Sequence, residues 1–112
     1  MKGKLENLHP DLLHILSELE HRLKITVQVN SGKRDEAHNA KVGGVKGSEH
    51  TYDPAEGADI DCRTGSLRYT IVKELYAMGV ERIGIGETFV HIGIAQDKPR
   101  LVMWHYYKKE TS

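Results

Sequence analysis

Histidine is the side chain this sequence holds in excess, seven in 112 residues against a single cysteine, Cys62. Imidazoles without thiolates are the ligand supply of a catalytic rather than a structural zinc site. One cysteine excludes both an internal disulfide and a thiolate-rich metal site. Three groups have placements that suit such chemistry: His50 in a glycine-rich stretch, Asp59 on the strand candidate that follows it, and His91 inside Phe89-Val90-His91-Ile92-Gly93. Strand alternation puts Val90, Ile92 and Ile94 on one face, which must be the core, and Phe89, His91 and Gly93 on the other. His91 is therefore presented on a wall. Two imidazoles and one carboxylate, with a fourth position left for water, suit a catalytic Zn²⁺ that lowers the water pKa to about 7 and polarises a carbonyl. On spacing alone, a strand histidine more often serves a structural hydrogen bond, so both roles stay open at this point.

These groups need elements to hold them. Pro10 suits the first turn of a helix, and Leu12, Ile15, Leu16, Leu19 and Leu23 recur at helical spacing as one apolar stripe. His14 and His21 fall off that stripe and read as solvated. Ile25 to Asn30 alternates as a strand. From Ser31 to Gly57 periodicity vanishes and glycines gather, and a loop of that length in a small domain is usually functional or disordered. Gly57 to Cys62 is a short strand candidate with Ala58, Ile60 and Cys62 on one face and Asp59 and Asp61 on the other. Thr64 or Ser66 can cap a second helix with Leu67, Ile71, Leu75 and Met78 as its stripe, ended by Gly79. Arg82–Ile85, Phe89–Ile94 and Arg100–Tyr106 read as three further strands. The expected fold is α+β: two helices packed on a small, mainly antiparallel sheet, with a long glycine-rich loop at the site.

Composition bounds the function. At 112 residues the chain has room for one domain, residues 1–112. Sixteen basic and sixteen acidic side chains cancel, which leaves no electrostatic footprint for nucleic acid or an anionic membrane. No apolar run approaches the roughly 20 residues that span a bilayer. Met1 to Glu6 has no apolar signal core, so synthesis in a cytoplasm without an export address is the expectation. A monomer is expected.

The literal strings say more. Ser31-Gly32-Lys33-Arg34, His38-Asn39, Val42-Gly43-Gly44, Ser48-Glu49-His50 and Ala55-Glu56-Gly57-Ala58-Asp59-Ile60 follow one another in order. This succession resembles the zinc D-Ala-D-Ala metallopeptidases, which include carboxypeptidases and small phage endolysins that cut L-alanyl-D-glutamate bonds. Their pattern runs Ser-Gly-aromatic-Arg, His-Asn, Val-Gly-Gly, Ser-x-His and Gly-x-Ala-x-Asp-Ile. Downstream, Arg82-Ile83-Gly84-Ile85, Phe89-Val90-His91-Ile92, Lys98-Pro99 and Trp104-His105-Tyr106 look like the tail of the short phage and prophage branch. The likeness spans roughly residues 10 to 107. It implies His50, Asp59 and His91 as ligands of one Zn²⁺, and Arg34 and Ser48 as groups holding the substrate's carboxylate or carbonyl. An Arg fork suits a terminal carboxylate; the alternatives are a loop ion pair for Arg34 and a turn hydroxyl for Ser48. Trp104 and Tyr106 either line the cleft or belong to the core.

Two departures stand out. His50 and Asp59 lie two residues further apart than is usual in the family, and Thr51-Tyr52-Asp53-Pro54 reads as a small surface insertion with turn chemistry. Asp61, on the same strand face, is the fallback ligand. The branch commonly has Asp two residues after its last His, where this chain has Gly93. A zinc hydrolase without a proton carrier loses about 10²–10⁴ in rate. Glu87, four residues before His91, is the catalytic candidate if the Gly86 turn curls it back; fully extended it would lie ~13 Å away. Folding could instead deliver Asp53, Glu49 or Asp61. The resemblance thus implies a zinc peptidase acting on the peptidoglycan stem peptide next to a D-amino acid, reaching the cell wall after release from a phage-infected host. The alternative is a non-catalytic zinc-binding virion or wall-binding module that has lost its base.

Overall fold

A computed structural model of the chain describes residues 1–107. Helix α1, Pro10–Leu23, starts with proline at its first turn, and His9 caps it: Nδ1 accepts from the Asp11 N–H at 3.0 Å. Its stripe is driven inward, with Leu12, Leu16 and Leu19 fully buried and His14 and His21 left exposed. Helix α3, Gly65–Ala77, is capped by Thr64, whose Oγ1 accepts from the Leu67 N–H at 3.2 Å. It buries Ile71 and Leu75. Gly79, at φ +80°, makes the left-handed turn just past its end.

Among the described residues, six strands form one sheet in the order β1-β2-β3-β5-β4-β6. They are β1 (Lys2–Gly3), β2 (Gln28–Ser31), β3 (Gly57–Asp61), β4 (Arg82–Ile85), β5 (Phe89–Gly93) and β6 (Val102–His105). The β1/β2 and β4/β6 pairs are parallel and the other three antiparallel. Val29, Ala58, Ile60, Val90 and Ile92 point to one face and pack with the leucines of α1 and with Ile71 and Leu75 of α3. Each such leucine contributes on the order of 1.5–3 kcal/mol by leaving water. Among the described residues no helix is long and apolar enough to cross a membrane.

The α+β class and the mainly antiparallel sheet are as expected, but among the described residues the helices number three. Helix α2, Glu36–Lys41, lies inside the long loop and is capped by Asp35, which accepts from the His38 N–H at 2.7 Å. Six residues without an apolar stripe carry no periodic signal, so the sequence reads as loop there. A 3₁₀ turn at Glu49–Thr51 follows. Strand β1 is likewise too short to show alternation; it is held by pairing with β2.

Candidate metal centre

The antiparallel register of β3 and β5 sets Asp59 directly opposite His91. Both side chains point to the sheet face away from α1 and α3. His91 Nδ1 lies 2.8 Å from Asp59 Oδ1. The third member comes from the loop: the 3₁₀ turn lowers His50 onto the same carboxylate oxygen, Nε2 to Oδ1 at 3.2 Å. Ser48 Oγ accepts from the His50 N–H at 3.3 Å and starts that turn. The Arg34 N–H donates to the His50 carbonyl at 2.7 Å, strapping the loop to the end of β2. One ligand atom from each of His50, Asp59 and His91 falls within 4.8 Å of the others, and all three residues are buried.

Each imidazole is fixed from behind. His50 Nδ1 faces the Gly32 carbonyl at 2.7 Å. A carbonyl only accepts, so Nδ1 carries the hydrogen and Nε2 is left for Asp59 or a cation. His91 Nε2 faces Glu49 Oε1 at 3.0 Å, which commits that nitrogen and leaves Nδ1 for the same point. Two neutral nitrogens and a carboxylate oxygen converging with their far sides hydrogen-bonded are the donor set and supporting shell that Zn²⁺ takes in catalytic sites. The residues present therefore fit the ion.

The electrostatics agree. Burial alone would push Glu49 up, but hydrogen bonding from His91 and pairing with Arg82 outweigh it and hold the carboxyl down at about 2. Burial opposes ionisation of Asp59 too, and the two imidazoles overcome it and depress its pKa. His91 is the mirror case: burial disfavours its charge, and Asp59 and Glu49 win and raise its pKa. Positive charge is thus favoured between the two carboxylates, at the position where a cation would sit.

Around this centre opens a cleft of about 550 Å³. Arg34 and Ser48 both line it. Arg34 is already engaged, donating to Ser31 Oγ at 2.9 Å, Asn39 Oδ1 at 3.2 Å and Asp59 Oδ2 at 3.4 Å. Its first task is to hold the aspartate rotamer and the loop, and its remaining N–H groups are what a ligand could use. Trp104 and Tyr106 line the cleft as well; the Trp104 ring stands 5.6 Å from His91, with the Arg82 guanidinium over it at 4.9 Å.

Asp59 joins the imidazoles and Asp61 does not, because Asp61 turns to Asn30 and Arg63 at 3.0 and 2.9 Å. The inserted Thr51–Pro54 segment leaves Asp53 exposed and does not disturb the meeting of His50 with Asp59. Glu87 is not brought to the centre. It sits exposed in the β4–β5 turn, outside the cleft lining, and its carbonyl accepts from Arg68 of α3 on the helix side of the sheet. A tight hairpin carries its turn beyond the end of the strands instead of back over one face. Closeness in sequence is therefore not closeness to the imidazoles.

Sequence reasoning missed the buried Arg82 and considered Glu49 only as an alternative base, not as the partner of His91. Glu49 Oε2 pairs with Arg82 Nε at 3.0 Å and accepts from the Ala95 N–H at 3.1 Å. Arg82 also donates through Nη1 to the Pro99 carbonyl. The available signal was the position of Glu49 beside His50 in the loop. Asn39, buried too, accepts from Arg34 and donates to the Val45 carbonyl at 2.8 Å, shaping the glycine-rich rim.

No curated protein and no solved structure matches the chain. The peptidase M15 family model matches residues 2–95, which takes in α1, the whole loop and all three members of the cluster. With that match over most of its length, the chain belongs to the peptidase M15 family, the zinc D-Ala-D-Ala metallopeptidases that its loop strings resemble.

Proposed function

We propose that this protein is a zinc-dependent peptidoglycan peptidase that cuts a stem-peptide bond next to a D-amino acid, in the manner of small phage endolysins. The observation that carries the reading is the convergence of His50, Asp59 and His91 at the floor of the cleft, with the far nitrogen of each imidazole already held. Zinc bound there would supply Lewis-acid polarisation of the scissile carbonyl and a water acidic enough to ionise near neutral pH. The chain's own residues supply placement. Arg34 fixes the Asp59 carboxylate and offers N–H groups to an anionic part of the peptide, and Ser48 offers its hydroxyl at the rim. Lys98 lines the same cleft and has no carboxylate paired with it among the described residues, so a free carboxylate of the stem peptide has a second cation to meet. Trp104 and Tyr106 give the peptide an apolar wall. Such a protein would work as a single chain on the wall once released from an infected host.

One observation favours the second reading, a zinc-binding wall or virion module without turnover. The carboxylates lining the cleft are Glu49 and Asp59, and both are engaged. The test joins metal analysis of the purified protein to digestion of purified peptidoglycan, with mass spectrometry of the products. A peptidase releases stem-peptide fragments with a new end at a D-residue, and a chelator abolishes them. Stoichiometric zinc with no product assigns the protein to the binding class.

A further inference from the structure

We infer that Glu49 is the positioning carboxylate of the metal centre, holding His91 with Nδ1 toward Asp59, and that Gly93 is a glycine in order to make room for it. The inference rests on the metal-binding reading of the site. A carboxylate side chain only 2% exposed is costly unless its oxygens are satisfied. Here both are: Oε1 by His91 Nε2 at 3.0 Å, Oε2 by the Ala95 N–H at 3.1 Å and Arg82 at 3.0 Å. These partners come from β5, the residues just after it, and β4, so the carboxylate is locked to the sheet rather than to its own loop. An imidazole has two nitrogens. An acceptor-only group on Nε2 selects the tautomer with its lone pair on Nδ1, the nitrogen that faces Asp59. Each Glu49 oxygen thus has a partner on the sheet, which suits the residue to holding His91 in place.

Glycine in a strand interior is unfavourable unless something approaches closely. Gly93 has no left-handed φ to require it. What requires it is Glu49. A Cβ at position 93 would stand 2.3 Å from both carboxylate oxygens and 2.6 Å from their carbon. Gly57, paired with Gly93 across the strands, closes the other side of the slot, where a Cβ would meet Glu49 Cβ and His91 Cε1, each at 2.8 Å. Two paired glycines thus form a socket for one glutamate. The geometry also says that a carboxylate could be supplied from the strand instead, since the next carbon of an aspartate at 93 would lie only about 1.5 Å beyond that Cβ.

The experiment is a reciprocal swap read by zinc affinity, using competition with a chromogenic chelator, and by metal-free melting temperature. Glu49→Ala and Glu49→Gln should each weaken zinc about 10–100-fold. Gly93→Asp alone should lower the metal-free melting temperature by crowding the socket. Glu49→Ala combined with Gly93→Asp should bring zinc affinity back at least tenfold relative to Glu49→Ala. A merely structural glutamate would lower the melting temperature and leave affinity unmoved. Zinc affinity within about twofold of wild type in both Glu49 variants overturns the inference, and so does a double variant no better than Glu49→Ala; Glu49→Gln keeps the test alive if the alanine variant does not fold. Wild-type protein that binds no zinc defeats the underlying reading instead, and the inference with it.

Discussion

Asp59 and Asp61 occupy the same face of one strand, and what stands opposite each decides its part. Asp59 meets His91 across β5 and receives His50 from the loop, whereas Asp61 lies opposite Phe89 and turns to Asn30 and Arg63. Removing the anion from Asp59 leaves two imidazoles without the oxygen on which they converge. Losing a supporting partner already costs 10–100-fold in metal affinity, so Asp59→Asn should cost about that or more. Asp61→Asn should leave zinc affinity within about twofold of wild type, since supporting-shell losses come only from groups that touch the ligands. Equilibrium dialysis against buffered zinc reads both, and metal loss in the Asp61 variant alone would assign the site to the wrong carboxylate. At this scale the three ring and carboxylate groups were legible, because ordered strings surround them. Glu49 stood beside His50 in plain view, yet its role depends on Gly93 and Arg82, which only folding brings near. Glu87 misled for the converse reason: adjacency to His91 along a hairpin says nothing about which way the turn points.

What places those residues is a register. Because side chains alternate with period two, slipping β3 against β5 by one residue would turn Asp59 into the core and expose Ile60. The apolar set Ala58, Ile60, Val90 and Ile92 therefore specifies the metal centre as firmly as the polar residues do. This part of the fold could be read from alternation alone, as could the leucine stripe of α1. The loop could not, since α2 and the 3₁₀ turn are fixed by side-chain caps and by Arg34 and Asn39 rather than by periodicity. Glycines on the polar face complete the register by leaving volume for other side chains. Gly57→Ala should push against Glu49 and His91, cost about 1–3 kcal/mol in denaturant unfolding and weaken zinc. Gly65→Ala is the internal control: a Cβ there meets nothing within 4 Å at the start of α3, so it should be neutral or stabilising by about 0.4–1 kcal/mol. Equal losses in the two variants would mean that the close packing at Gly57 has no consequence.

For the molecule as a whole, the buried charges make stability and metal binding two readings of one equilibrium. Glu49, held at about 2 against 4.5 in the unfolded chain, contributes on the order of 3 kcal/mol, present above pH ~4.5 and lost as pH falls through its folded value. His91 has the opposite sign. Its pKa is raised, so its contribution is complete below pH ~6.5 and disappears as pH rises through the folded value. The metal-free protein should accordingly be most stable between about pH 4.5 and 6.5, and weaken on both sides. Zinc reverses the upper limb. Metal and proton compete for the same His91 nitrogen, so zinc affinity should climb with pH as that proton leaves. At a free zinc concentration 100 times the dissociation constant, stabilisation is about 2.7 kcal/mol, or roughly 10 °C or more in melting temperature for a chain of this size. Melting curves from pH 4 to 8, with zinc and with chelator, should therefore lie closest in acid and separate progressively as pH rises beyond ~6.5. Curves that stay a constant distance apart over this range would mean that zinc binds elsewhere than against His91.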